Sequence, residues 1–181
     1  DYCVFRQIPW QTVNDAYQEL EAEGALTVRV REQCNLTTVP DLMEFIRTDH
    51  PATDRFSMGP LKLLGDGALG ARTAFLSRPY ADEPGTRGLS VFTGAQFDEL
   101  IGTAHAHGMQ VAVHCIGDAC LDLVLDAIEK AQAKHPRADA RHGIVHCQIT
   151  RPDQLERIAK GKLHVYAQSI FLDYDIHIVR E

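Results

Sequence analysis

Short apolar runs alternate along the chain with longer stretches in which apolar residues recur every third or fourth position. Runs such as LTVRVR (26–31) and QVAVH (110–114) are rich in β-branched residues and predict strands. The longer stretches, such as 118–133, predict helices with one apolar face. This alternation predicts an α/β protein with a parallel sheet. The predicted strands are 26–31, a short strand at Lys62, 110–114, 143–146 and 163–168, and the predicted helices are 12–23, one from Pro40, one ended by Gly108, 118–133 and one from Pro152 to Gly161.

A connection rich in glycine and proline interrupts this alternation after Lys62. Residues 65–92 contain five glycines and two prolines and show no helix or strand period. Connections in compact domains usually have about 4–6 residues, so a loop of this length is predicted to be functional or mobile. The tail FLDYDIHIVRE (171–181) is predicted to add no further helix, so the pattern ends partway through an architecture.

Composition restricts the class of protein. A chain of 181 residues with 45% hydrophobic residues predicts one domain with a sizeable core. The net charge of −7 argues against nucleic acid as a partner. No apolar run is long enough to span a membrane. Five cysteines without a CxxC motif argue against a disulfide framework. We therefore expect a cytoplasmic protein whose partner is a small-molecule substrate.

Three polar residues stand near the ends of predicted strands: Lys62, His114 and His146. In a barrel of alternating strands and helices, the carboxyl ends of the strands converge on the face that carries the active site. Side chains alternate between the two faces of a strand, and we expect these three to point inward together. Imidazole nitrogens are common ligands of zinc, iron and nickel. The pattern therefore predicts a metal centre at the strand ends.

Three sequence blocks carry a resemblance to a known family. They are GDGALGARTAFLSRPYADEPGTRG (65–88), QVAVHCIGD (110–118) and RHGIVHCQ (141–148). Together they resemble the amidohydrolase superfamily, in particular its YtcJ-like branch, the amidohydrolase 3 family. The resemblance implies a partial TIM (β/α)8 barrel of about five parallel strand–helix units, corresponding to strands three to seven of the eight.

The resemblance also implies a ligand set. Lys62 matches a lysine on strand four that is carboxylated and bridges two metals, while His114 and His146 match histidine ligands on strands five and six. These three residues are thus the expected catalytic and metal-binding groups. The expected cofactor is one or two divalent ions, with zinc first and iron or manganese as alternatives.

The family pattern contains further groups that this sequence lacks. It places a His-x-His pair on strand one and an Asp on strand eight, whereas the only HxH here is His105–Ala106–His107, at the end of a predicted helix. We therefore expect a central part of the barrel, without strands one, two and eight or the small β domain. On its own this part is expected to bind metal weakly, to turn over no substrate and to form a homo-oligomer through its open edges.

The implied reaction is hydrolysis of non-peptide carbon–nitrogen bonds, such as amides, cyclic amides and N-formyl groups, by a metal-activated hydroxide. Ester, phosphoester and deamination chemistry on the same barrel are alternatives, because a fold does not fix a substrate. A different class of function is also open, in which a catalytically incomplete barrel domain binds a ligand or a protein partner.

Several residues allow two interpretations. Asp66 and Arg72 are expected to bind substrate from the long loop, although Arg72 could instead pair with Asp66 or Asp82. Cys115 and Cys147 follow the two candidate histidines; they are expected to face the helices as small hydrophobes, with a Cys–His zinc site as the alternative. The remaining expectations are a structural role for His142, surface positions for His105 and His107, and a structural ion pair for Arg29 and Arg31.

Overall fold

Five parallel strands form one sheet, in the order in which they occur along the chain. The computed structural model describes residues 8–50 and 52–179. The open sheet with alternating helices confirms the predicted fold class, part of a (β/α)8 barrel. The elements are α1 (Trp10–Ala22), β1 (Val30–Cys34), α2 (Val39–Arg47), β2 (Phe56–Leu64), α3 (Gly94–Ala106), β3 (Val111–Cys115), α4 (Asp118–Lys134), β4 (Gly143–His146), α5 (Pro152–Lys160), β5 (His164–Tyr166) and α6 (Phe171–Val179).

The register of the three central strands separates two faces of the sheet. Leu63, Val113 and Ile144 stand side by side and belong to the main hydrophobic core, with apolar residues of α2 to α5. One position earlier, Lys62 lies beside Ala112 and Gly143 on the opposite, inner face. Since side chains alternate along a strand, a core of aliphatic residues on one face leaves the other face free to present polar groups.

The helix boundaries follow from local capping. Thr93 and Gln96 form a reciprocal capping box at the start of α3, and Thr38 accepts a hydrogen bond from the N–H of Asp41 at the start of α2. Pro152 begins α5, where its missing N–H costs nothing. None of the helices in the described part of the chain is long and apolar enough to cross a membrane.

Strand β1 and the C-terminal tail differ from the prediction. The first strand was expected at 26–31 but covers Val30–Cys34, because pairing with β2 begins where Val30 meets Phe56. The tail was expected to add no helix, yet Phe171 begins α6, which continues to Val179. Both errors arise because local apolar periodicity does not reveal which neighbouring strand or loop a segment packs against.

The long connection 65–93 packs as an ordered loop with a small core of its own. Leu69, Ala74 and Tyr80 are buried together with Ile116, which follows β3. The Tyr80 hydroxyl donates to the carbonyl of Ala74 at 2.9 Å. Gly88 has a φ of +75°, and a Cβ there would lie 1.9 Å from the Ala74 oxygen. Only glycine fits this close approach between two segments of the loop.

Candidate metal centre

Lys62 lies on the inner face of β2 with 3% of its surface exposed. Burial disfavours its charged form, and the pKa of Lys62 falls from 10.5 to about 8. The backbone is held as well, because the side-chain amide of Asn35 donates to the Lys62 carbonyl at 2.9 Å. About a tenth of the amine is then neutral at pH 7, which makes this lysine a potential nucleophile.

His114 and His146 meet beside this lysine. Their ring centroids are 4.6 Å apart, with an interplanar angle of 78°. Burial is the largest cause that lowers the pKa of each imidazole, and the nearby charge of Lys62 lowers both further. The structure thus brings together the three residues expected from the sequence, and both histidines are neutral at neutral pH, the form that binds a metal.

His146 reaches this position by a route that strand alternation does not predict. His146 was expected to point inward, and alternation along β4 places it on the same face as His142 and Ile144. However, Ile144 lies in the helix-facing core and His142 contacts α3. His146 itself pairs in register with Cys115, another helix-facing residue. Its backbone has a φ of +70°, and that of Cys147 is +52°. These left-handed residues turn the imidazole over to the inner face, so the alternation argument was correct for His114 and wrong for His146.

Hydrogen bonds fix the tautomer of each ring. A carbonyl oxygen can only accept, so Nε2 of His114, 2.9 Å from the Gly67 oxygen, carries the proton. Nδ1 of His146 likewise donates to Oε1 of Gln168. These bonds engage one nitrogen of each ring and leave the lone pairs on Nδ1 of His114 and Nε2 of His146 for another partner. Metal-binding histidines are oriented in the same way, through a hydrogen bond from the second ring nitrogen.

The donor set fits a divalent metal whose third ligand comes from lysine. Among residues 8–50 and 52–179, no cluster of three His, Cys, Asp or Glu side chains is arranged to hold a metal ion. Two imidazoles in mutual contact nevertheless lie beside a buried amine of lowered pKa. A carbamate formed on Lys62 would supply the anionic oxygen that two neutral imidazoles lack.

Asp66 lies next to the histidines but faces into the protein. Its side chain has no exposed surface, and its two oxygens accept hydrogen bonds from the N–H groups of Phe75, Ile116 and Gly117 at 2.8–3.0 Å. Burial raises the pKa of this carboxyl, while the three N–H groups act in the opposite direction. The expected contact with substrate remains a prediction. The hydrogen bonds that the structure gives Asp66 come from backbone N–H groups, and its Oδ1 also lies 3.4 Å from Nε2 of His114.

Arg72 pairs with Asp82 within the same loop, the second of its two interpretations. Its guanidinium also donates to the Gly70 carbonyl at 2.8 Å. The side chain is 28% exposed, so it is accessible from solvent. A substrate that engaged Arg72 would have to compete with Asp82.

The cysteine and histidine expectations have mixed outcomes. Cys115 is buried in the main core and Cys147 packs against that core, so the prediction of helix-facing thiols is confirmed. His142 has a structural position, as predicted, hydrogen-bonded to His105 at 2.7 Å. His107 is exposed as expected, whereas His105 is fully buried and the prediction of a surface position for it was wrong.

Arg31 in β1 and Arg29 just before it also have partners that differ from expectation. Arg29 donates to the carbonyl of Asp54 at 3.3 Å, and Arg31 donates to the side-chain oxygen of Gln110 at 3.4 Å. The partners that the structure records are therefore neutral oxygens in place of the expected ion pair.

Sequence reasoning missed two residues beside His146. Gln168 follows β5 and orients the imidazole, while the ring of Phe171 stacks on it at 5.5 Å. Gln168 had a usable signal, since a polar residue just beyond a strand end lies on the same face as the other candidates. Phe171 had none, because the tail was not expected to form a helix.

Comparison with known proteins shows which family this chain is similar to. The sequence model of the amidohydrolase family matches residues 12–181. The chain is 38% identical over 138 residues to the protein named "Putative amidohydrolase YtcJ" of Bacillus subtilis (strain 168), covering 70% of this chain and 25% of that protein. It is 28% identical over 162 residues to protein LONG AFTER FAR-RED 3 of Arabidopsis thaliana, covering 89% of this chain and 27% of that one.

Two solved structures share the fold. An uncharacterized metal-dependent hydrolase from Pyrococcus furiosus superposes with a TM-score of 0.79 at 37% identity, over 93% of this chain and 34% of that one. One from Pyrococcus horikoshii OT3 gives a TM-score of 0.80 at 34% identity, over 94% and 34%. The chain thus spans about a quarter of the two sequence relatives and about a third of the two solved chains. With a family match over almost its whole length and a fold shared with metal-dependent hydrolases, this chain belongs to the amidohydrolase family.

Proposed function

We propose that the protein is a metal-dependent hydrolase of non-peptide carbon–nitrogen bonds, with Lys62, His114 and His146 among its metal ligands. One observation carries the proposal: a buried lysine with a pKa near 8 lies beside two neutral histidines in mutual contact. Zinc is the metal that we expect, since two imidazoles and an oxygen donor leave an open position in its tetrahedral shell.

Lys62 supplies the anionic ligand in this proposal. Its neutral amine attacks the carbon of CO2: a nitrogen–carbon bond forms, one C=O π bond opens with its electron pair going to oxygen, and one amine proton leaves to solvent. The product is a carbamate with two oxygens. Burial favours the reaction because it lowers the pKa of the amine, and the same burial disfavours an unmodified ammonium in this position.

The histidines act as neutral nitrogen donors of fixed orientation. His114 offers Nδ1, since its Nε2 proton is held by the Gly67 carbonyl, and His146 offers Nε2, since its Nδ1 proton is held by Gln168. When bound, the metal would lower the pKa of a water molecule and polarise the carbonyl of the substrate. Phe171, stacked on His146, covers one side of that imidazole and limits its access to bulk water.

The test uses the full protein, loaded separately with Zn2+, Fe2+ or Mn2+. The substrate panel contains N-formyl amides, N-acyl amides and cyclic amides, together with aryl esters, phosphoesters and amino heterocycles. We expect hydrolysis of at least one amide class and a metal content that falls when His114 or His146 is replaced by Ala. Turnover confined to esters, phosphoesters or deamination would contradict the carbon–nitrogen assignment.

The role of Lys62 has its own test. Lys62→Ala should lose most activity and regain part of it with short carboxylic acids, which place a carboxylate where the carbamate stood. Lys130→Ala is the matched control, because Lys130 is 62% exposed and pairs with Asp98 on the outer helices. Equal effects of the two substitutions, or full metal content in Lys62→Ala without added acid, would argue against a carboxylated lysine.

A further inference from the structure

The carboxylate of Asp66 is the most heavily engaged buried charge near the candidate site. Oδ1 accepts from the N–H of Ile116 at 3.0 Å, and Oδ2 accepts from those of Gly117 and Phe75 at 2.8 and 2.9 Å. The donors come from two segments that are far apart in sequence, the long loop and the turn between β3 and α4. A carboxylate is the only side-chain group of this size that offers acceptors on both atoms.

These bonds join three parts of the site. Asp66 follows β2, which carries Lys62, and its contacts to Ile116 and Gly117 hold the end of β3, which carries His114. The carbonyl of Phe75 in turn accepts from the N–H groups at the start of α4. These bonds therefore tie the loop 65–93 to the ends of β2 and β3.

Asp66 also faces the imidazole of His114. Its Oδ1 lies 3.4 Å from Nε2, and the carbonyl of Gly67, the next residue, accepts from the same nitrogen at 2.9 Å. Two acceptors on one side of the ring favour a proton on Nε2. The opposite nitrogen, Nδ1, is left with its lone pair free to bind a metal.

We propose that Asp66 is a positioning residue, which holds His114 in its Nε2-protonated tautomer and ties the loop 65–93 to the ends of β2 and β3. The assignment rests on the proposed function, in which His114 binds the metal. It differs from the substrate contact expected from the sequence, because the side chain of Asp66 has no exposed surface.

Asp66→Asn tests this role with almost no change of shape. One oxygen of the carboxylate becomes an NH2 group. If the remaining oxygen accepts from Phe75 and Gly117, the NH2 group faces the N–H of Ile116 and Nε2 of His114. His114 then relieves the conflict by moving its proton to Nδ1, which removes the lone pair available to the metal.

Two measurements in the full protein report on this change. Titration with Zn2+ against a chromophoric chelator should give a dissociation constant raised about 10- to 100-fold, the usual effect of losing a group that orients a ligand. Nitrogen-15 spectra of the metal-free protein should show His114 protonated at Nε2 in the wild type and at Nδ1 in Asp66→Asn. Asp98→Asn is the control, because Asp98 lies on the outer face of α3 with Lys130; it should change neither quantity.

The outcomes separate this proposal from the proposed function. If Asp66→Asn folds, binds zinc with wild-type affinity and leaves the tautomer of His114 unchanged, the positioning role is overturned. If the variant does not fold, the wild-type spectrum still tests the role, because protonation of His114 at Nδ1 overturns it. His114→Ala that retains its zinc overturns the proposed function, whereas the dependence of the tautomer on Asp66 remains measurable.

Discussion

Two pairs of histidines lie at opposite ends of β3 and β4, and their chemistry is opposite as well. His114 and His146 contact each other at the carboxyl ends of the strands, with ring centroids 4.6 Å apart. His105 and His142 lie at the other end, with centroids 5.0 Å apart. Residue type and separation are nearly the same in the two pairs, so the difference must come from the partners of the ring nitrogens.

The pair at the amino ends of the strands forms a closed chain of hydrogen bonds. The N–H of Val111 donates to Nδ1 of His142, so the His142 proton is on Nε2 and is donated to Nδ1 of His105 at 2.7 Å. The proton of His105 is then on Nε2, which donates to the carbonyl of His135 at 2.7 Å. All four ring nitrogens have a partner and both rings are neutral. The pair can bind no further ligand without breaking this chain.

By comparison, the pair at the carboxyl ends, His114 and His146, keeps one nitrogen of each ring available for a ligand. Its hydrogen bonds to Gly67 and Gln168 use one nitrogen of each ring, and a buried lysine lies beside it. Satisfied nitrogens stabilise the fold, whereas oriented nitrogens with free lone pairs can bind a ligand. The comparison teaches that hydrogen-bond accounting separates a structural histidine pair from a candidate metal-binding pair more clearly than sequence spacing does.

The largest expected effect comes from replacing histidines of one pair or the other by alanine. His114→Ala and His146→Ala in the full protein should each lower metal affinity and activity by more than about 100-fold, the upper range for a group that only orients a ligand. His142→Ala should keep its metal but lose stability, because buried partners are left unsatisfied. Metal content by elemental analysis, with unfolding in urea, distinguishes the two results. Loss of metal from His142→Ala in a folded protein would break the comparison.

Buried Lys62 should make the metal-free protein less stable than an apolar residue at the same position would. Its pKa is about 8 in the fold and 10.5 outside it, so the unfolded state binds more protons between these values. The cost is complete below pH 8, at about 3 kcal/mol, and declines as the pH rises towards 10.5. We expect Lys62→Met to raise the free energy of unfolding of the metal-free protein by about this amount at pH 7. Urea titrations at pH 7 and pH 10 check it; a gain that does not shrink at the higher pH would argue against a buried cation.

The closed pair predicts sensitivity to acid. Burial is the largest cause that lowers the pKa of His142, from 6.5 to about 3, and burial also lowers that of His105. The unfolded state therefore binds more protons below pH 6.5, and stability falls as the pH falls. From His142 alone we expect a loss of about 3 kcal/mol by pH 4.5.

His142→Asn isolates this contribution. The Asn oxygen stands near the position of Nδ1 and still accepts from Val111, but the link to His105 is removed. We expect lower stability than the wild type at pH 7 and a shallower decline on acidification. Parallel pH curves for the two proteins would show that the acid sensitivity has another source.

The sequence predicted the central strands well because their apolar runs are buried by helices of clear period. The runs at 110–114 and 143–146 reappear in β3 and β4 with boundaries within one residue. Strand β2 was predicted as a short strand at Lys62 but covers Phe56–Leu64, a range that includes Gly59 and Pro60. The strand continues through them as a bulge, since the register shifts between Glu32 and Cys34 on β1. A bulge depends on the neighbouring strand, which a local pattern does not contain.

The candidate site was predictable in its residues but not in its geometry. Lys62, His114 and His146 could be named because they stand near strand ends. The turn of His146 towards the inner face depends on two left-handed residues, and no glycine at 146 or 147 announces them. The burial of His105 likewise depends on a partner 37 positions away in sequence. Periodicity describes one element at a time, whereas these features arise between elements.

The smallest expected effect sharpens the comparison within a single turn of helix. His107 is two residues after His105, is exposed, and its Nδ1 bonds to the carbonyl of Thr103 in its own helix. His107→Ala should change the free energy of unfolding by less than about 0.5 kcal/mol, as surface substitutions do. His105→Ala should cost several times more, because His142 and the His135 carbonyl lose their partner. Neither substitution should change metal content. If His107→Ala lowered it, the HxH of this helix would have a part in metal binding, and the division between a structural end and a ligand-binding end of the sheet would fail.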